Sequence, residues 1–330
     1  MRKNEFISFI SFFKPLTTGG GWWSFIKWAI MIAAYVFLAY KLLTFDQYDE
    51  LLAQWEQMPL SQFGWLAFVM VLLPFNWLLE AIKWKKMTSN IQKISILTSY
   101  KAVLAGISTG FFTPNRVGEL VGRVVFLESE NRKAGVTLSV VNSLTQNIIM
   151  ALCGIPASLL YFSSTAGVLD TDTADFLLVL ISFLLLFGFL YFALPNISKR
   201  LAESNIAAKI ETFTSCLSSY STSDLIQIMA ISLLRYLVFC FQFFLMLRFF
   251  GVQLELWQAL IAIPANYLFV TFTPSVAFSE AAVRSSYAVL FIGAFSGQVV
   301  GIALAGMCIW MVNFVFPMLV GSVVMLKSKI

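Results

Sequence analysis

The chain has 330 residues, of which 59% are hydrophobic and 12% charged, and its mean hydropathy is +0.83. Soluble domains carry roughly a quarter charged residues, so composition excludes a water-soluble fold and points to an all-α polytopic membrane protein. There is no histidine, which removes the imidazole that membrane metalloproteases and histidine-dependent lipid phosphatases need, and the net charge of +5 sits mostly in loops, where it reports orientation rather than nucleic-acid binding.

In chain order, a basic start (Arg2, Lys3, Lys14, Lys27) precedes an apolar stretch at about 24–43, too long for a signal-peptide core and read as an uncleaved anchor leaving the cytoplasm. The loop after it holds Asp46, Asp49, Glu50 and Glu56, as expected outside. A second span at about 63–81 returns to Lys83, Lys85, Lys86 and Lys93, the first three of which are expected to anchor on anionic headgroups. The apolar stretch after Val136 leads out to Asp170, Asp172 and Asp175. A span at about 176–194 comes back to Lys199, Arg200 and Lys209, one at about 225–247 leads out, and the last, about 298–326, returns to Lys327 and Lys329. Every loop fits if the regions 97–128 and 257–295 do not cross. The expectation is a single membrane domain over 1–330 with about six transmembrane helices and both termini cytoplasmic, multi-pass in the cell (inner) membrane. The four cysteines, Cys153, Cys216, Cys240 and Cys308, form neither a metal spacing nor a disulfide framework, and no cofactor or metal is expected.

The two exceptional regions share a phrase. "FFTPNRVGELVGR" (Phe111–Arg123) and "FTPSVAFSEAAVR" (Phe272–Arg284) each carry Phe-Thr-Pro and then Glu-x-x-x-Arg. The proline ends a first half-helix, because its ring clashes with the preceding turn and it has no N–H to donate. Each half is short for a crossing of about 20 residues, so both regions read as re-entrant helical hairpins with tips near mid-membrane. They point in opposite directions and form an inverted repeat with halves at about 63–162 and 225–326. Two crossings in 257–295 give the same side for the C-terminus and stay open as an alternative.

Glu119 with Arg123 and Glu280 with Arg284 each share a helix face. Thr113, Pro114 and Asn115 form the first tip, and Thr273, Pro274 and Ser275 the second, with Asn266 just before it. Such groups cap freed N–H donors or bind an oxyanion. The bland reading of the repeated ion pairs is that they pin each hairpin to its neighbours. The functional reading is that two arginines bind one phosphate and the glutamates neutralise them between visits. Arg235, about ten residues into its span, is read either as a phosphate ligand or as a partner of Glu119 or Glu280. Asn142 and Gln146 are read as helix–helix glue, and Glu80 as a partner of Lys83 or of a headgroup.

"NWLLEAIKWKKM" (Asn76–Met87) together with the two Phe-Thr-Pro phrases resembles the lysylphosphatidylglycerol synthase transmembrane family, also called the flippase-like domain family, over roughly 24–326. The shared features are a basic-Trp element, here Lys83-Trp84, and two Pro…Gly…Glu motifs in re-entrant segments. The second motif departs from the first, with Phe278 in place of Gly118 and one more residue before its glutamate. The resemblance implies movement of an anionic or aminoacylated phospholipid, or of a polyprenyl-phosphate carrier, between leaflets. No aminoacyl-transferring domain is expected after Ile330, so synthase activity is not carried over and no enzyme is expected. The expected partner is a membrane lipid or lipid-linked substrate, with no nucleic acid; a homo-oligomer is one assembly open to it. A small-solute or ion-coupled transporter and a membrane-embedded transferase are the alternatives.

Overall fold

The computed structural model describes residues 60–111, 113, 116–166, 171–203, 214–275 and 277–327; the first expected span and the tip residues Pro114 and Asn115 lie outside them. The described residues are helical, with no strand among them. Four segments are long and apolar enough to cross a membrane, Leu60–Thr88, Ser129–Thr165, Thr222–Phe249 and Val299–Met325.

The first of these holds α1 (Phe63–Thr88), which overruns the expected boundary at 81 by two turns. Its pattern explains the packing. Val69, Leu73, Asn76, Glu80, Lys83 and Met87 recur at alternating four- and three-residue steps and are buried. Phe68, Val71, Phe75, Leu78 and Ile82 line the other face and are exposed, as suits contact with lipid. Lys83 is therefore corrected from a headgroup anchor to a wholly buried residue (0% exposed), because it falls on the inner stripe. Lys85 and Lys86 sit in the last turn, where they complement the helix dipole.

After α1 comes α2 (Ile96–Phe111), then a break, then the short α3 (Gly118–Val124). The long α4 (Arg132–Ala166) and α5 (Thr171–Ala202) follow, the latter covering the expected span at 176–194. Helix α6 (Thr222–Phe249) starts at a Ser221/Asp224 capping box. Helix α7 (Leu256–Phe272) and α8 (Ala277–Ile292) are separated by a second break, at the second Phe-Thr-Pro. The last segment is α9 (Val299–Trp310), a π-helical turn over Met311–Val315, and α10 (Phe316–Lys327).

The main packing pairs are α1 with α6, α2 with both α3 and α10, α4 with α7, and α8 with α9. Two apolar clusters result. One joins α4, α6, α7, α8 and α9; the other joins the end of α1 to α2, α3 and the start of α4, and Trp77 and Met229 touch both. The α2–α3 pair packs backbone to backbone. A Cβ on Gly122 would lie 2.0 Å from Thr109 Oγ1 and 2.7 Å from the Ala105 carbonyl oxygen, so only glycine allows this approach.

Candidate functional site

The inner stripe of α1 carries the polar residues that begin the site. Glu80, fully buried, holds four partners with two oxygens. Its Oε1 accepts from Arg123 Nη1 at 2.5 Å and from Asn142 Nδ2 at 2.8 Å. Its Oε2 lies 3.0 Å from Lys83 Nζ and 3.2 Å from Arg235 Nη1. These partners come from α3, α4, α1 and α6, so one carboxylate ties four helices together. Arg235 Nε donates to Asn76 Oδ1 at 2.9 Å and Nη1 to Gln146 Oε1 at 3.4 Å. Lys83 Nζ also donates to Ser232 Oγ at 3.2 Å. Arg123 is bonded a second time, by Nη2, to Glu119 four residues before it.

A second cluster forms around the π-helical turn. Arg284 pairs with Glu280 through Nη2 at 2.7 Å and Nε at 3.2 Å. Its guanidinium carbon lies 4.5 Å from the centre of the Phe314 ring. The guanidinium of Arg116, within the first break, stacks on the same ring at 3.9 Å. Arg116 adopts a left-handed backbone (φ 60°), which an arginine rarely takes. Its Nη2 is buried and has no hydrogen-bond partner among the described residues. The charges of Glu280 and Glu119 both act on it, so it links the two clusters electrostatically. A π-helical turn widens the helix by one residue, and here it falls on Asn313 and Phe314, beside both arginines.

Each described residue among the site candidates has a definite place, Pro114 and Asn115 lying outside the described residues. Glu119 and Arg123 join the Glu80 cluster, and Glu280 and Arg284 the Phe314 cluster. Arg235 pairs with Glu80, rather than with Glu119 or Glu280. Thr113 is a cap: Oγ1 donates to the Gly110 carbonyl at 3.0 Å and accepts from Gly118 N–H at 2.7 Å. Thr273 Oγ1 donates to the Phe269 carbonyl at 2.7 Å and lies 2.9 Å from the Tyr287 hydroxyl. Pro274 and Ser275 occupy the second break, half-buried. Asn266 is buried in α7, its Oδ1 without a hydrogen-bond partner. The sequence reading gave no role to Arg116 or Phe314 and undervalued Glu80. The heptad-like stripe of α1 was a usable signal for Glu80, since it puts Asn76, Glu80 and Lys83 in line with Val69 and Leu73.

The family description "lysylphosphatidylglycerol synthase TM region" matches residues 24–321. The chain belongs to this family. Membership makes it an integral membrane protein related to lipid handling, consistent with its spanning helices and lipid-facing aromatic residues. Searches of curated proteins and of solved structures found no match. The protein's own carboxylates pair with four of the five cations of the two clusters. Among the described residues no group of histidine, cysteine, aspartate and glutamate is arranged to hold a metal ion.

Proposed function

We propose that this protein moves an anionic or aminoacylated phospholipid, or a polyprenyl-phosphate-type carrier, between leaflets, receiving the headgroup at the tips of its two broken helices. The observation that carries this reading is the Phe314 ring, on which the guanidinium groups of Arg116, within the first break, and of Arg284, two turns into the helix after the second break, converge. Ionisable side chains within a membrane usually face a substrate or ion pathway, since each costs roughly 2.5–3.5 kcal/mol to insert. Half-helices meeting at the midplane between inverted repeats are a common transporter plan. On this reading the α2–α3 and α7–α8 pairs are re-entrant hairpins of opposite orientation, in repeat halves at about 63–162 and 225–326. The protein works as a transporter rather than an enzyme, in the inner membrane with both termini cytoplasmic. The carboxylates of Glu80, Glu119 and Glu280 hold the arginines neutralised until a headgroup displaces them, so that binding stays weak enough for release.

A leaflet assay tests this. Purified protein in liposomes containing, in separate preparations, fluorescent phosphatidic acid, phosphatidylglycerol or lysyl-phosphatidylglycerol should speed the movement of at least one of them between leaflets. Joint replacement of Glu119 and Glu280 by glutamine, and of Arg123 and Arg284 by glutamine, should slow it roughly tenfold or more, equivalent to about 1.4 kcal/mol of lost stabilisation. Unchanged lipid movement in that variant removes the proposal.

A further inference from the structure

The charge of the two clusters does not balance. Lys83, Arg116, Arg123, Arg235 and Arg284 contribute five positive charges, and Glu80, Glu119 and Glu280 contribute three negative ones. Among the described residues the ensemble therefore keeps two uncompensated positive charges. Four of the cations have a carboxylate within ion-pair distance, and among the described residues Arg116 has none. Its guanidinium rests on an aromatic face instead, with a buried, unbonded Nη2 and a left-handed backbone that holds it there. Burying a charged donor without a partner is costly, and structures that keep one commonly do so where a ligand completes it. Arg284 reaches the same ring, so the two guanidinium carbons stand no farther apart than the sum of their distances to its centre. That upper bound admits one phosphate between two planar donors once the ring moves aside.

We infer that the group received here is a doubly charged phosphate, a phosphomonoester or diphosphate, bound between Arg116 and Arg284 with Phe314 displaced, and not a phosphodiester or an aminoacylated headgroup. This rests on the translocation reading above and narrows its substrate class. A dianion cancels the excess charge in full, a phosphodiester cancels half of it, and a lysyl ester, being cationic overall, adds to it. Glu280 competes with the ligand for Arg284, and its removal should favour the anion.

Binding to the purified full-length protein in detergent at pH 8 tests the inference, with didecanoyl phosphatidic acid, didecanoyl phosphatidylglycerol, lysyl-phosphatidylglycerol and inorganic phosphate as probes. Phosphatidic acid should bind roughly tenfold or more tighter than phosphatidylglycerol, and lysyl-phosphatidylglycerol weakest. Inorganic phosphate that competes as well as phosphatidic acid also supports the dianion site and makes a free phosphate its source; much weaker competition makes the source a lipid. Arg116→Gln should erase the preference, while Glu280→Gln should tighten phosphatidic acid binding, a gain that a misfolded variant does not produce. Equal binding of the monoester and diester lipids, or tighter binding of the lysyl ester, overturns the inference. If lipid still moves between leaflets in that case, the translocation reading stands and only the charge class is lost.

Discussion

Glu80 is the residue on which the buried charge depends. Removing one partner of a buried ion pair costs about 3–5 kcal/mol, because the other charge stays behind in low dielectric. Glu80→Gln leaves three cations (Lys83, Arg123 and Arg235) facing a neutral amide, with only Glu119 to hold one of them. Its thermal midpoint in detergent should fall sharply. Asp224→Asn is the contrasting case. That pair, Lys86 with Asp224 at 2.8 Å, is about a quarter to a third exposed, and exposed pairs contribute about 0–1 kcal/mol. A similar drop in both variants would count against Glu80 as the central tie. At this scale the sequence disclosed the two Glu-x-x-x-Arg pairs, because an i,i+4 relation on a helix is local. It hid the Glu80–Arg123 bond, which joins residues 43 positions apart and depends on which faces of α1 and α3 meet.

Both helix breaks fall where Phe-Thr-Pro was expected to put them, although proline alone does not decide it, since Pro74, Pro156, Pro195 and Pro264 sit inside helices. The π-helical turn in the last segment has a fainter mark of the same kind: Pro317, just after it, lacks the N–H that the Asn313 carbonyl would otherwise accept from four residues on. Close approach of α2 and α3 was half-visible in their glycines. Gly122→Ala should destabilise by about 1–3 kcal/mol, because the new methyl meets the Ala105 backbone as well as Thr109 and cannot be relieved by one rotamer change. Gly64→Ala, where nothing lies within 4 Å, should leave stability unchanged or slightly raised, as alanine is the better helix former. Comparison of the two thermal midpoints decides whether the tight hairpin is a structural requirement.

Charge alternation gave the order of helices along the chain but set the end of α1 too early, because it treated Lys83 as a loop residue when its charge is neutralised inside. The same rule leaves 257–295 ambiguous, since a hairpin that turns back and one that crosses twice deliver the chain to the same side. The two differ only in where the second break lies. A crossing pair carries Ser275 to the cytoplasmic surface, whereas a re-entrant pair stops it inside the protein. In a cysteine-free background, Asn90→Cys, at an exposed turn after α1, should react with a bulky impermeant maleimide applied to inside-out vesicles, and Gln253→Cys, exposed before α7, only in right-side-out cells. Ser275→Cys should resist the bulky reagent from both sides. If it reacts in inside-out vesicles as fast as Asn90→Cys, 257–295 crosses twice and the inverted symmetry is lost.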